Sequence, residues 1–443
     1  MGRLQLPRWL EDVGVWTRRA VLTVLAVVVV AGIGALSVRS PMEGALAGAV
    51  LLALGFAAID LGYLAVLCLP ATFLMARAGG ALSISDLVLF GAFVPAALLV
   101  VREEAGELRP LVWLAIVYQA SLVPTLALNP YKANVIEWVH ELVLVLGALV
   151  IGWVIGWQGR ARLALSLYLV MAVAIGVCAS VTALATFASS GRFEPVYLPG
   201  LHKNLIGNAL AFATVLTYAR PAWLRWNPRW AGAAMVVCLS GCLAAQAKQA
   251  LVSVVVGILI VSLRSRRLGL RGWFMVAATV PLSYFVWQVV SEQLSSSNNF
   301  NSAHQRLTWY DRSIEIWDQS PLFGVGLRWW YTARFPDTGF QPPNVELEML
   351  SSAGVLGLAG LVTLTIGAML WLRTLSPAYG TIAIAIIAMR FTQGQFDLFW
   401  VAGMSSFPWL VTGIAVGALA RSRHAEESTA TVPSPEPARA RTA

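Results

Sequence analysis

The sequence predicts an all-α fold: a polytopic membrane helix bundle of about 12–14 transmembrane helices with one large extracytoplasmic loop containing short helices. Three observations predict it. Hydrophobic residues make up 58% of the 443 positions and charged residues only 12%, whereas a soluble globule carries about a quarter charged. Apolar runs of membrane-spanning length follow one another along almost the whole chain. Basic residues collect in alternate connections, as the positive-inside rule requires.

Taken in order, the apolar runs begin near Ala20, Glu43, Leu61, Ile84, Pro110, Val135, Leu163, Asn204, Trp230, Gln249, Gly272, Val345, Tyr379 and Phe399. Residues 44–76 are long enough for one overlong helix, but Asp60-Leu61-Gly62 in their middle reads as a tight turn and divides them. The first run is long enough to span and lacks a small-residue cleavage site, so no cleavable signal peptide is expected. With residues 1–19 as a cytoplasmic segment, the greater part of the 31 basic side chains falls inside, including Arg102, Arg160, Arg225, Arg264, Arg373 and Arg421. Transmembrane helices then occupy 20–290 and 345–420. The 291–344 loop is extracytoplasmic, and 421–443, rich in Pro, Ser, Ala and charge, forms a disordered cytoplasmic tail.

Composition also excludes some partners. The net charge of +9 follows mainly from topology, so a bilayer is the expected partner and nucleic acid is not. Cys68, Cys178, Cys238 and Cys242 lie in apolar runs without a metal-ligand pattern and read as small hydrophobes. No Asp-x-Asp pair or His/Asp cluster marks a metal site in the outer segments. Neither a metal nor another cofactor is expected.

The chemistry is expected in the loop, because loops on a rigid scaffold carry binding and catalysis. It concentrates His304, Arg306, Trp309, Asp311, Arg312, Glu315, Asp318, Arg328 and Arg334. The basic residues left outside include every lysine of the chain, Lys132, Lys203 and Lys248, together with Arg39, Arg77 and Arg390. Arg39 and Arg77 fit snorkelling to the interface. Lys203, Lys248 and Arg390 lie next to or within apolar helices, where a charge faces protein or water and points to function. Cations on that face suit an anionic substrate embedded in the outer leaflet, such as a polyprenyl diphosphate. Arg matches phosphate oxygens with its planar fork and Lys acts as a point charge. Neutralising the charge that develops on a departing diphosphate would allow it to leave without a metal. In the sixth run, Glu137, His140 and Glu141 form a polar stripe at helical spacing. They could bond one another inside the bundle or line an acceptor path.

The run from Ala303 to Trp330 resembles the outer loop of the O-antigen ligase and O-antigen polymerase family. The resemblance rests on Arg306, Trp309, a short amphipathic helix over 310–318, and a turn with Ser320, Pro321, Leu322, Gly324 and Gly326. It continues through Asn344, Leu347, Glu348, Leu350, Gly354 and Gly357, and more weakly through His202, Lys203 and Lys248, covering about residues 195–420. It implies a bacterial inner-membrane glycosyltransferase that takes a polyprenyl-diphosphate-linked glycan as donor and a glycan or cell-envelope molecule as acceptor. The residues implied to bind donor or diphosphate are Arg306, Lys248, Arg390, His202, Lys203, Asn344, Trp309 and Arg312. The family's His, implicated in activating the acceptor hydroxyl, is replaced by Pro343, which cannot take a proton. Glu346, His304 and Glu348 are the candidate bases. A transporter or flippase of lipid-linked glycans, or a non-catalytic assembly subunit, is the alternative.

Overall fold

The computed structural model describes residues 60–79, 82–264, 302–332, 334–335 and 340–430, together with Gly55 and single positions between 273 and 291. The chain divides into two compact units, Met1–Leu64 and Ala65–Ala443. The described residues form an all-α bundle. Its strands are the short antiparallel pair β1 (Arg77–Gly79) and β2 (Leu82–Ser83).

The helices are α1 (Gly62–Ala71), α2 (Ile84–Leu98), α3 (Arg109–Ser121), α4 (Val123–Leu128), α5 (Lys132–Trp157), α6 (Ala161–Ser190), α7 (Lys203–Ala219), α8 (Pro228–Ala245) and α9 (Lys248–Arg264). They continue with α10 (Ser302–Trp317), α11 (Val345–Thr374), α12 (Pro377–Gly394) and α13 (Ala402–Ala430). Each run expected to start at Leu61 or beyond meets a helix, except that only single helical positions from 273 to 291 represent the Gly272 run. The runs at Ala20 and Glu43 lie outside the described residues. Among the described residues six helical segments are long and apolar enough to cross a membrane: Arg109–Leu128, Lys132–Trp157, Ala161–Ser190, Pro228–Ala245, Val345–Thr374 and Ala402–Thr429.

Local chemistry explains several boundaries. The Gly62 N–H donates to Asp60 Oδ1 at 2.7 Å, which starts α1 where the sequence predicts a break. Ser83 and Asp86 form a reciprocal capping box on α2, satisfying donors that a helix start leaves open. Within α5 a π turn at Val143–Gly147 follows the charged stretch, a device that often marks functional positions.

The centre of the bundle is the α5–α13 contact. Gly152 and Gly156 face Gly413 and Gly417, and a Cβ on any of the four would collide with backbone of the opposite helix. Two such small-residue pairs let the helix backbones touch, which is the main source of packing energy between helices in lipid. The outer helices differ: the apolar window of α13 is 94% buried and that of α6 only 28%, so α6 turns most of its surface outward.

The last helix departs from expectation. Order was expected to end at 420, but α13 continues to Ala430. Residues 423–427 are rich in Ala and Glu, good helix formers. Arg423 pairs with Glu107, and His424 with Glu104 at 2.8 Å. Residues 431–443 lie outside the described residues.

Candidate functional site

The site is built around a broken helix. Inside α11, Gly354 has φ 65° and ψ −166°, a conformation that essentially only glycine adopts. The break releases backbone groups that lipid cannot satisfy, and such breaks survive only where protein re-satisfies them. The 321–326 segment does so. Val325 and Gly326 N–H donate to the Ser351 and Ser352 carbonyls at 3.0 and 2.9 Å, and Val355 and Leu356 N–H donate to the Pro321 and Leu322 carbonyls at 2.9 and 3.3 Å. A Cβ on Gly324 would strike the Ser352 carbonyl, and one on Gly354 would strike that of Leu322. The glycine turn therefore folds the loop onto the broken helix.

The loop is also held by the α4–α5 corner. Thr125 Oγ1 donates to the Phe323 carbonyl at 2.6 Å and Asn129 Nδ2 to that of Gly324 at 3.3 Å. Asn134 Oδ1 accepts from Leu327 N–H at 2.9 Å, and the Tyr131 hydroxyl donates to the Leu327 carbonyl at 2.7 Å. These anchors come from the N-terminal half, outside the stretch that carries the resemblance. Their signal was polar side chains in an apolar stretch.

At Arg328, in left-handed backbone with φ 55°, the loop sends a guanidinium into the bundle. Its Nε pairs with Glu137, and its Nη2 lies 3.1 Å from His140 Nδ1. His140 Nε2 lies 2.8 Å from Asp86 Oδ1. Asp86 on α2, Glu137 and His140 on α5, and the loop are thus one buried ionic chain. Beside it the Tyr118 hydroxyl bonds Glu141, and Gln341 Nε2 donates to Glu348 Oε1 at 2.8 Å. The stripe in the sixth run is an internal network, and Arg328 is its missing partner.

A second polar cluster carries most of the residues singled out in the sequence. Glu346, in the first turn of α11, accepts on Oε1 from Gln395 Nε2 at 2.8 Å. Its Oε2 is buried and takes no hydrogen bond among the described residues. Asn344 caps α11 through Leu347 N–H at 3.0 Å and donates to the Gln395 carbonyl at 3.3 Å. Tyr310, on α10, bonds that same carbonyl at 3.2 Å. Burial lifts its phenol above the ordinary tyrosine range; Arg306 opposes this and Glu346 adds to it. Burial, and after it the Arg306 charge, lowers the pKa of Lys203 at the start of α7.

Asp397 completes the cluster. It accepts from Asn204 and Asn208 at 3.2 Å each and from Gln249 at 3.3 Å. The adjoining His202 caps α7 through Asn204 N–H at 3.3 Å. Its pKa is lowered by burial and by Lys203, against the pull of Asp397. Lys248 stands at the start of α9, next to Gln249.

The remaining candidates lie elsewhere. Glu348 is only 2% exposed, within the internal network. Arg390 is buried, stacks on Phe399 at 4.9 Å, and directs Nη2 to the Leu398 and Phe399 carbonyls, holding the turn that presents Asp397. Trp309 stacks on Phe340 at 5.6 Å, next to Trp329. Arg312 pairs with Glu315 on the exposed face of α10. The His304 backbone belongs to α10; its side chain lies outside the described residues. Tyr310, Gln395 and Asp397 are site residues the sequence reading did not select. Among the described residues no three His, Cys, Asp or Glu side chains could share a metal ion.

Residues 233–362 match the family model described as O-Antigen ligase. Over that segment the chain is similar to the O-antigen ligase family. No curated protein matches the chain. The matched segment contains Lys248, Arg306, Tyr310, Arg328, Asn344, Glu346 and the Gly324/Gly354 junction. His202, Lys203, Arg390 and Asp397 lie beyond it, and the fold brings His202, Lys203 and Asp397 to the O-antigen ligase segment.

Proposed function

We propose that the protein is a metal-independent glycosyltransferase of a bacterial inner membrane. It would move a glycan from a polyprenyl diphosphate to a hydroxyl of a second glycan or a cell-envelope acceptor, with the 291–344 loop on the extracytoplasmic side and both termini in the cytoplasm. The observation that supports this reading is the match of residues 233–362 to the O-Antigen ligase model, beside a polar cluster in which Glu346 and Tyr310 both bond Gln395.

The chemistry follows from the charges. Arg306 and Lys203, with Lys248 on the neighbouring helix, would bind the diphosphate and neutralise the charge that grows on the leaving oxygen. Glu346 would take the proton of the acceptor hydroxyl on its buried Oε2, while Gln395 holds Oε1 and orients the carboxylate. A single displacement inverts the anomeric centre. A carboxylate base makes a histidine at position 343 unnecessary.

The test is transfer by purified protein in lipid, with EDTA present, from polyprenyl-diphosphate-linked glycans. Arg306→Ala is expected to lower turnover about 10²–10³-fold. Glu346→Gln keeps the shape and removes the base, and is expected to cost about 10²–10⁴-fold. A protein that binds the donor lipid yet forms no glycosidic bond with any acceptor would be a transporter or an assembly subunit instead.

A further inference from the structure

The buried ionic chain leaves two carboxylates without a cation. Within it Asp86 faces His140 at 2.8 Å, and Glu137 holds both Arg328 and His140. Glu141, by contrast, accepts from the Tyr118 hydroxyl, and Glu348 from the Gln341 amide at 2.8 Å. Among the described residues neither forms an ion pair, and both are almost fully buried. The reaction proposed above uses none of these groups.

The two unpaired carboxylates share one cavity. Glu137, Glu141 and Glu348 line it together with Arg328 and Ser352. Glu348 Oε2 and Ser352 Oγ take no hydrogen bond among the described residues. The charged and titratable groups around the pair are Asp86 of α2, Tyr118 of α3, Glu137 and His140 of α5, and Arg328 of the loop. The next cation is Arg390 of α12, which stacks on Phe399 at 4.9 Å; that ring lies 5.0 Å from Trp400 on the cavity wall. With Arg390 counted and His140 protonated, four carboxylates still face three cations. An unpaired buried ion is so costly that the group gives up its charge instead. The cavity is too narrow to admit a water molecule, and no three acids or histidines among the described residues could share a metal ion. A proton is the cation that fits.

We propose that Glu141 and Glu348 form a proton-binding site where the loop meets the bundle, sharing one proton at neutral pH, and that its release unseats the loop. Arg328 and Gln341 are both loop residues, and both are bonded into this network. A further negative charge beside Glu137 is relieved by admitting water, and water enters as the loop lifts.

Infrared spectra of the protein in lipid vesicles at pH 7 test the proton directly. The carbonyl stretch of a neutral carboxylic acid is expected in the wild type and in Glu315→Gln, whose carboxylate is exposed. It should vanish in the Glu141→Gln/Glu348→Gln double variant, which keeps the shape and neutrality of the protonated pair. No such band in the wild type, or one that survives the double substitution, overturns the proposal. Amide exchange at Val325, Gly326 and Leu327, which bond Ser351, Ser352 and Asn134, reads the seating of the loop. The seated state binds one proton more than the unseated state, so unseating rises with pH by up to about tenfold per unit. This begins above about pH 5, where an exposed carboxylate is already ionised. Comparing wild type with the double variant at each pH cancels the direct effect of hydroxide on exchange. The wild-type to variant ratio is expected to climb with pH, and a constant ratio would show that the loop does not sense the proton.

Discussion

Gly354→Ala is expected to abolish the folded state of the loop-bearing half of the bundle. A methyl group there meets the Leu322 carbonyl and the Phe323 amide, and φ 65° with ψ −166° is not open to alanine. Relief requires either straightening α11, which expels the 321–326 segment, or moving that segment away. Both leave the Ser351, Ser352, Val355 and Leu356 backbone groups without the partners they have now. Each unsatisfied group costs several kcal/mol where water is absent, so the total loss exceeds about 4 kcal/mol. Thermal unfolding and gel filtration in detergent would measure it. Gly232→Ala is the control, because nothing lies within 4 Å of a Cβ at that site, and mid-helix alanine is neutral or slightly stabilising. A Gly354→Ala protein that melts with the wild type would refute the broken-helix account.

The second large effect belongs to Arg328. Arg328→Met strands Glu137, 4% exposed, in the interior, and removal of one partner from a buried ion pair costs about 3–5 kcal/mol. It also removes the donor facing His140 Nδ1. Glu137→Gln in the same protein takes away the stranded charge, and the double variant should recover a coupling of about 1–3 kcal/mol relative to the summed single losses. Chemical or thermal unfolding of the four proteins supplies the numbers. Strict additivity would mean that the pair contributes nothing to stability, and that the loop is held by its backbone bonds alone.

These two expectations separate what local sequence can express from what it cannot. Gly324, Gly326 and Gly354 stand in a recognisable order, so a turn and a break could be anticipated there. Nothing in the order of residues says that the turn fills the break, because the segments that exchange those four backbone hydrogen bonds lie about 30 positions apart. The stripe of Glu137, His140 and Glu141 follows from a period of 3.6, but its cation is Arg328, nearly 190 positions later. The spacing of Gly152-Gly156 and Gly413-Gly417 was a readable sign of close helix packing. Which of them met which was not.

The candidate site shows the same division. Arg306, Lys203, His202, Asn344 and Glu346 stood out as polar residues beside apolar helices; Asn344 and Glu346 both bond Gln395, and His202 caps Asn204, which bonds Asp397. Arg312 looked equivalent to Arg306 in sequence; six positions on a helix is not a whole number of turns, and it emerges on the exposed face, paired with Glu315. Arg390 has the composition of a ligand-binding charge, yet its Nη2 is turned to the carbonyls of the 398–399 turn.

By itself the sequence determined an all-α membrane bundle and, among the described residues, where most of its helices from Leu61 onward fall. Those properties are written in transfer free energy, helical period and local backbone preference, each of which is a sum over neighbours along the chain. Only the tertiary structure decided that the loop plugs a broken helix, that Arg328 completes a charge network, and that Tyr310 and Glu346 meet at Gln395. Buried polar groups must find partners where there is no water, and the partner each one finds is set by three-dimensional adjacency, which no local pattern encodes.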